Sequence, residues 1–206
     1  MTPRDRKKQE TRQRLSDTAT AMFLEHGFDA VRVTEIAAAC GVSEKTVYNY
    51  FPTKEALLLD RFDGTTAALR AALADPALTP IAAALRVLDA DLAAMTARAV
   101  PRERLARFRA LIDATPSLRA YQRDALDELT ALAAAALAER YGYQPDDPEP
   151  RIAASALLGL WPVYFRALRR YLDGTRPAGE VRAAVSEEVR RAATVIERGL
   201  RSIRSP

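Results

Sequence analysis

Alanine restricts this chain more than any other feature: it fills 41 of 206 positions, while valine fills 11 and isoleucine 6. Alanine loses no side-chain entropy in a helix and β-branched residues lose some, so this balance predicts an almost entirely helical, all-α chain. The length suits one or two domains with a substantial core. One cysteine, Cys40, excludes an internal disulfide, and one histidine, His26, leaves little for a zinc site. The longest nearly apolar stretch, Ile152 to Phe165, has 14 residues, too few to cross a bilayer. The N-terminus is polar and basic, without the apolar segment of a secretory signal. The expectation is a soluble, cytoplasmic protein with no membrane partner, metal or cofactor.

The net charge is +4, from 31 basic and 27 acidic residues, and its placement says more than its total. Residues 1–14 hold Arg4, Arg6, Lys7, Lys8, Arg12 and Arg14 against Asp5 and Glu10, whereas residues 15–60 are acidic on balance. All four lysines, Lys7, Lys8, Lys45 and Lys54, fall in the first 54 residues. A flexible basic arm, residues 1–10, is therefore expected ahead of a folded unit. Such an arm can follow a phosphate backbone, although solvated basic tails are also common.

From Thr11 the apolar positions Leu15, Ala19, Met22 and Phe23 recur at three and four residues, one face of a helix. Gly27 reads as a left-handed cap, and His26 as a helix-end residue favoured by the dipole. A short second helix carries Ile36, Ala37 and Cys40, with Cys40 read as packing. A third runs from Glu44 to about Tyr50, capped by Ser43 and stopped by Pro52, and Lys54 opens a long fourth with Leu57, Leu58 and Phe62. Two helices joined by Gly41-Val42-Ser43 form a helix-turn-helix. Val47 points to the core, while Glu44, Lys45, Tyr48 and Asn49 lie on the free face with Thr46 and Tyr50 at its margins. Lys45 and Asn49 suit base edges and Tyr48 and Tyr50 suit phosphates; the plainer alternative is a helical subdomain with exposed aromatics.

The run from Ile36-Ala37 through Gly41-Val42-Ser43, Thr46, Tyr48-Asn49-Tyr50-Phe51 and Lys54-Glu55 to Leu57 resembles the tetracycline-repressor (TetR) family, with Phe23 and Gly27-Phe28 in place upstream. The likeness covers about residues 8–68. It implies an N-terminal three-helix helix-turn-helix DNA-binding domain, residues 11–54, and a C-terminal helical ligand-binding and dimerisation domain, residues 55–206. It also implies a homodimeric repressor acting on a double-stranded DNA operator and released by a small molecule. At matched positions it assigns Lys45, Thr46, Tyr48, Asn49 and Tyr50 to DNA contacts and Lys54 to a phosphate. Arg32, Thr34, Ser43 and Glu44 complete the candidate set. Arg32 departs from the family pattern, and either Arg32 reaches a phosphate or Thr34 caps the second helix.

Beyond residue 68 periodicity carries the reading. Pro80 opens a helix to about Ala97 (Ile81, Leu85, Leu88, Leu92), and Pro101 opens another (Leu105, Phe108, Ile112). Thr115-Pro116 starts a third, to about Tyr141, with Leu118, Gln122, Ala125, Leu129, Leu132 and Ala136 as its stripe. Gly142 to Pro150 reads as a loop. Ile152 to Leu172, apolar all round at first and kinked at Pro162, must be covered by protein on every side. The last helix, Glu180 to about Ile203, spaces Val181, Val185, Val189, Ala192 and Ile196 as a seam. With Leu157, that seam is the expected dimer interface, on the family resemblance.

Candidate lining for an effector pocket is Phe108, Arg109, Tyr121, Trp161, Tyr164 and Phe165, which suits an unknown and largely apolar small molecule. Arg109 either anchors an anion or reaches to water. The segment Ile112 to Arg119 resembles a subgroup of the family containing the mycofactocin-system regulator, some of whose members bind acyl-thioesters. An enzyme is not expected, because the lone His26 forms no catalytic set. A helical carrier or sensor without DNA binding is the alternative.

Overall fold

The computed structural model describes residues 2–59, 61–97, 101–144, 146–173 and 175–200. Among them are eleven helices and no strand: α1 (Pro3–His26), α2 (Val33–Ala39), α3 (Glu44–Tyr50), α4 (Lys54–Leu59), α5 (Arg61–Ala74), α6 (Pro80–Ala97), α7 (Arg102–Ala114), α8 (Pro116–Tyr141), α9 (Pro148–Leu158), α10 (Leu160–Tyr171) and α11 (Ala178–Leu200). The all-α expectation holds. Two units emerge, Met1–Phe62 with Glu103–Arg123, and Asp63–Arg102 with Asp124–Pro206.

The first unit gathers Leu15, Ala19 and Phe23 of α1, Val33, Ile36 and Ala37 of α2, Val47 of α3, Phe51, and Ala56 to Leu59 of α4. It also takes Ile112 of α7 and Leu118 of α8. The boundary expected at residue 55 is therefore too simple, because residues 103–123, placed in the C-terminal domain, pack within the N-terminal unit. Arg107 of α7 donates from Nη2 to the Leu24 carbonyl of α1 at 2.6 Å. A guanidinium at a helix C-terminus meets carbonyls that have no partner within the helix.

The second unit is built on Leu69 and Leu73 of α5, Ala84, Leu88 and Leu92 of α6, and Leu129, Ala133 and Leu137 of α8. Leu157 of α9, Trp161 and Tyr164 of α10, and Val181, Val185 and Val189 of α11 complete it. Few polar groups enter. Tyr164 donates its hydroxyl to Asp91 at 2.6 Å, and Ser186 donates to Asp89 at 2.9 Å.

Several expected boundaries move, each for a local reason. Residues 3–10 belong to α1, not to a flexible arm: Thr2 accepts from the Asp5 N–H, Asp5 accepts from the Thr2 N–H, and Pro3 opens the helix. The fourth helix is described in two parts, α4 and α5, on either side of Asp60, which lies outside the described residues together with the Phe62 side chain. The loop after Tyr141 is shorter than expected, since Pro148 sits in the first turn of α9. The single helix expected from Ile152 to Leu172 is divided at Gly159. Pro162 has no N–H for the carbonyl four residues earlier, so the α-helical ladder is interrupted just before it. On α8 the buried stripe is Leu129, Ala133 and Leu137, whereas Leu132 and Ala136 are half-buried. Alanine on every side leaves that helix without a sharp apolar face, so periodicity alone misplaces the stripe.

Candidate nucleic-acid interface

The turn between α2 and α3 is made by backbone bonds. Gly41, at φ +65°, takes the left-handed conformation. Its N–H donates to the Ala38 carbonyl, and the Val42 N–H to the Ala37 carbonyl, both at 3.0 Å. This pair is the Schellman closure, and it needs a residue free to adopt positive φ. Gly27 also has positive φ, +88°, but its ψ of 155° is extended. The expected left-handed cap is thus a different glycine conformation, and its N–H still reaches the Phe23 carbonyl at 2.9 Å.

Helix α2 opens at Val33 with Arg32 in the capping position. The Glu35 carboxylate accepts from the Arg32 N–H at 2.6 Å. A guanidinium has no acceptor, so the reciprocal half of a capping box is missing. Of the two open alternatives, Thr34 as the cap is ruled out. Thr34 lies in the first turn, and both side chains are exposed.

Helix α3 has seven residues, of which only Val47 is fully buried. Ser43 accepts from the Thr46 N–H at 3.1 Å and shares a hydroxyl bond with Thr46 at 2.8 Å. Both hydroxyls are thereby engaged in capping. Lys45, Tyr48 and Asn49, at spacings of three and four, are exposed together, with Glu44 also exposed and Tyr48 46% accessible. Tyr50 is half-buried and packs on the core. A cation, an amide and a phenol thus share one open helix face, the donor and acceptor set that base edges and phosphates take.

Lys54 opens α4, with its Nζ 4.5 Å from the centre of the Phe28 ring and 5.7 Å from that of Phe23. The two rings are 4.9 Å apart and form an aromatic seat for the ammonium. The helical start of α1 adds Arg6, Lys7 and Lys8, all exposed, while the Arg4 side chain lies outside the described ones. Hydrogen bonds from Thr2, side chain first and backbone second, hold the Asp5 carboxyl below its ordinary range. Arg12, counted in sequence with the basic arm, has a different place. Its Nη1 donates to the Tyr50 carbonyl at 3.0 Å and its guanidinium lies 4.8 Å from the Phe51 ring centre. Its spacing from Leu15 and Ala19, on the flank of the α1 core face, is the signal that could have separated it from the arm.

Cys40 is buried, as expected, and His26 is exposed at the end of α1 beside Glu25. The six candidate pocket residues do not gather in one unit. Phe108, Arg109 and Tyr121 belong to the first, where Phe108 and Tyr121 pack on its core. Trp161 and Tyr164 are buried in the core of the second, with Phe165 packed against it. The expected dimer seam is corrected more sharply. Leu157, Val181, Val185 and Val189 are at most 3% exposed within the chain's own core, and Ala192 and Ile196 pack against that core. Ile203 lies outside the described residues. The valine spacing is that of an ordinary buried helix face, which a seam between subunits shares. Among the described side chains, the large apolar ones left open on α9 and α11 are Ile152, 61% exposed, and Val195, 72% exposed.

A capped recognition helix with a polar open face, held by two preceding helices, defines a helix-turn-helix DNA-binding protein. Residues 15–60 match the model of the bacterial regulatory proteins of the tetR family, and residues 78–200 match that of the MftR C-terminal domain. The chain belongs to the TetR family, with an MftR-type C-terminal domain, and is a DNA-binding transcriptional regulator. It is 28% identical over 160 residues to a Mycobacterium tuberculosis protein described as the mycofactocin biosynthesis transcriptional regulator MftR, spanning 75% of this chain and 78% of that one. Its fold is similar to Thermus thermophilus FadR, a TetR-family repressor solved with lauroyl-CoA (TM-score 0.51, 24% identity, 92% and 94% of the two chains). It is also similar to SmeT solved with triclosan (TM-score 0.55, 20% identity, 88% and 91%). No described helix is long and apolar enough to cross a membrane.

Proposed function

We propose that this regulator is a homodimeric repressor that reads a palindromic operator with α3 and is released by a small, largely apolar effector. One observation carries the DNA-reading part: the exposed Lys45, Tyr48 and Asn49 share one face of a helix whose opposite side buries Val47. In this reading Asn49 and Lys45 meet base edges. Tyr48, Lys54 and the basic start of α1 meet phosphates, and Arg32 and Thr34 stand at the edge of the same footprint. Glu44 suits a cytosine amino group. Ser43 and Thr46 act by capping, and Tyr50 by packing.

Two copies are needed because one short helix binds weakly, whereas two linked half-sites multiply affinity and read a two-fold sequence. With the valine seam turned inward, self-association falls to the outer side of α9 and α11, where Ile152 and Val195 are open. A two-fold contact would place the same patch on both partners. The effector is assigned to the aromatic side of α10, with Trp161, Tyr164 and Phe165 as lining and Asp91 as the polar group beside Tyr164. Phe108 and Tyr121 then belong to the recognition unit's own packing.

A gel shift against the DNA upstream of the chain's own coding sequence tests the reading. A retarded band at low salt is expected. Its absence would leave a helical carrier or sensor without DNA binding. Lys54→Ala should weaken binding to all duplexes alike and flatten the slope of log K against log salt by about one. Asn49→Ala should instead lose preference at one base position. Ile152→Glu with Val195→Glu should convert a dimer to a monomer in sedimentation. A small molecule that raises the melting temperature should also abolish the band.

A further inference from the structure

Helix α3 is too short to be stable by itself, so its pose depends on what holds its two ends. The N-terminal end is closed by Ser43. The C-terminal end has no such closure within the local chain. Phe51 follows in an extended conformation, φ −138° and ψ 108°, and its N–H returns to the Val47 carbonyl at 2.9 Å. Pro52 has no N–H to offer the Tyr48 carbonyl four residues earlier, and no positive-φ glycine follows to fold the chain back. The last carbonyls of α3, which carry the negative end of its dipole, must find donors elsewhere.

Arg12 supplies one from α1. It lies 38 residues before Tyr50 and meets that residue's carbonyl at 3.0 Å, part-buried, with its guanidinium carbon over the Phe51 ring, 4.8 Å from the centre. Four residues on, Ser16 donates to the Leu57 carbonyl of α4 at 3.0 Å. Successive turns of α1 are thus bonded to the elements on either side of Pro52, and Arg12 is the tie to the reading helix itself. We propose that Arg12 is a positioning residue that pins the C-terminal end of α3 and so sets sequence discrimination, not one of the phosphate-following charges of the basic segment. The proposal rests on α3 being the reading helix.

The two roles predict different binding signatures. A phosphate contact contributes equally on every sequence and adds to the salt slope, whereas a pin acts only where the base edges must be met in register. The probes are the duplex that wild-type protein recovers from a random-sequence library and a random duplex of equal length. Arg12→Ala should lower the ratio of the two affinities about tenfold, as expected for one charge-assisted hydrogen bond, with the salt slope unchanged. In the free protein the Tyr50 and Phe51 amides should exchange faster by a similar factor. Arg12→Lys keeps the charge but not the flat fork, so it should restore only part of the ratio. Equal weakening on both duplexes, a slope reduced by about one, and full rescue by Arg12→Lys would overturn the proposal in favour of a phosphate contact. An unchanged ratio with unchanged α3 exchange would overturn it as well. Should Arg12→Ala not fold, Arg12→Lys alone decides between ratio and slope. Recovery of no preferred sequence by the wild type would sink DNA reading itself, and exchange in α3 would still decide whether Arg12 pins the helix.

Discussion

In the recognition unit a few named positions hold each turn: Gly41 closes α2, Ser43 opens α3, and Arg12 and Arg107 reach carbonyls at the ends of α3 and α1. The second unit relies more on alanine and leucine packed across six helices, with the Tyr164–Asp91 and Ser186–Asp89 bonds and the Arg140 guanidinium on the Leu73 and Leu78 carbonyls among its polar ties. Positional chemistry suits a unit that must present one short helix in a fixed pose. Close packing of small residues suits a unit whose surface can vary while its volume is kept.

The sharpest way to break this contrast is to open a hole in the recognition core. Phe23→Ala removes a fully buried ring that packs on Phe28 and lies under Lys54. It is predicted to cost about 3–5 kcal/mol, read as faster amide exchange across α1 to α3. Fluorescence of Trp161, the single tryptophan and a residue of the other unit, should report a smaller shift. An equal shift would show that the two units unfold as one.

In the second unit Tyr164→Phe keeps the ring and removes its bond to Asp91. A loss of about 1–3 kcal/mol in denaturant unfolding followed at Trp161 is predicted, with the salt slope of DNA binding untouched. A neutral result would mean that packing alone sustains that region. Gly41→Ala tests the recognition turn. No atom lies within 4 Å of the added Cβ, so the predicted cost, about 1–2 kcal/mol in thermal unfolding, comes from the left-handed backbone alone. Gly159→Ala is its counterpart in the second unit, where the added Cβ would meet the Ala156 carbonyl oxygen at 3.0 Å under ordinary helical φ. The cost there should depend on whether that oxygen can shift.

The smallest expected effect lies at the start of α1. Asp5 is held ionised by Thr2, so its folded pKa lies below its unfolded value. Its contribution to the first helical turn is present above the unfolded carboxylate pKa and lost as pH falls through the folded one. Amide shifts of residues 5–8 should therefore move toward coil values on acidification, and Asp5→Asn should remove most of that response. A pH-independent first turn would mean that the helix there is held by other contacts.

The family motif was legible because its chemistry is local. A glycine at the turn, a serine three residues before a free N–H, and one valine among polar neighbours specify α2, the turn and α3 from spacing alone. The same grammar was present at Thr2-Pro3 and Asp5, and the basic composition of the segment concealed it. Arg32 could not be resolved from sequence, because the Glu35 carboxylate, not a side chain of Arg32, satisfies that helix start.

What the sequence determined by itself, then, is the helical class, the recognition motif and the polar face of α3, all set by neighbours within a turn or two. Tertiary structure decided the rest. The valines of α11 face the chain's own core, α7 packs within the DNA-reading unit, and Arg12 spends its charge on a carbonyl 38 residues away. The physical reason is that a periodic apolar stripe marks a buried face without saying whether the chain's own core or a partner covers it, and a bond between distant turns leaves no periodic trace.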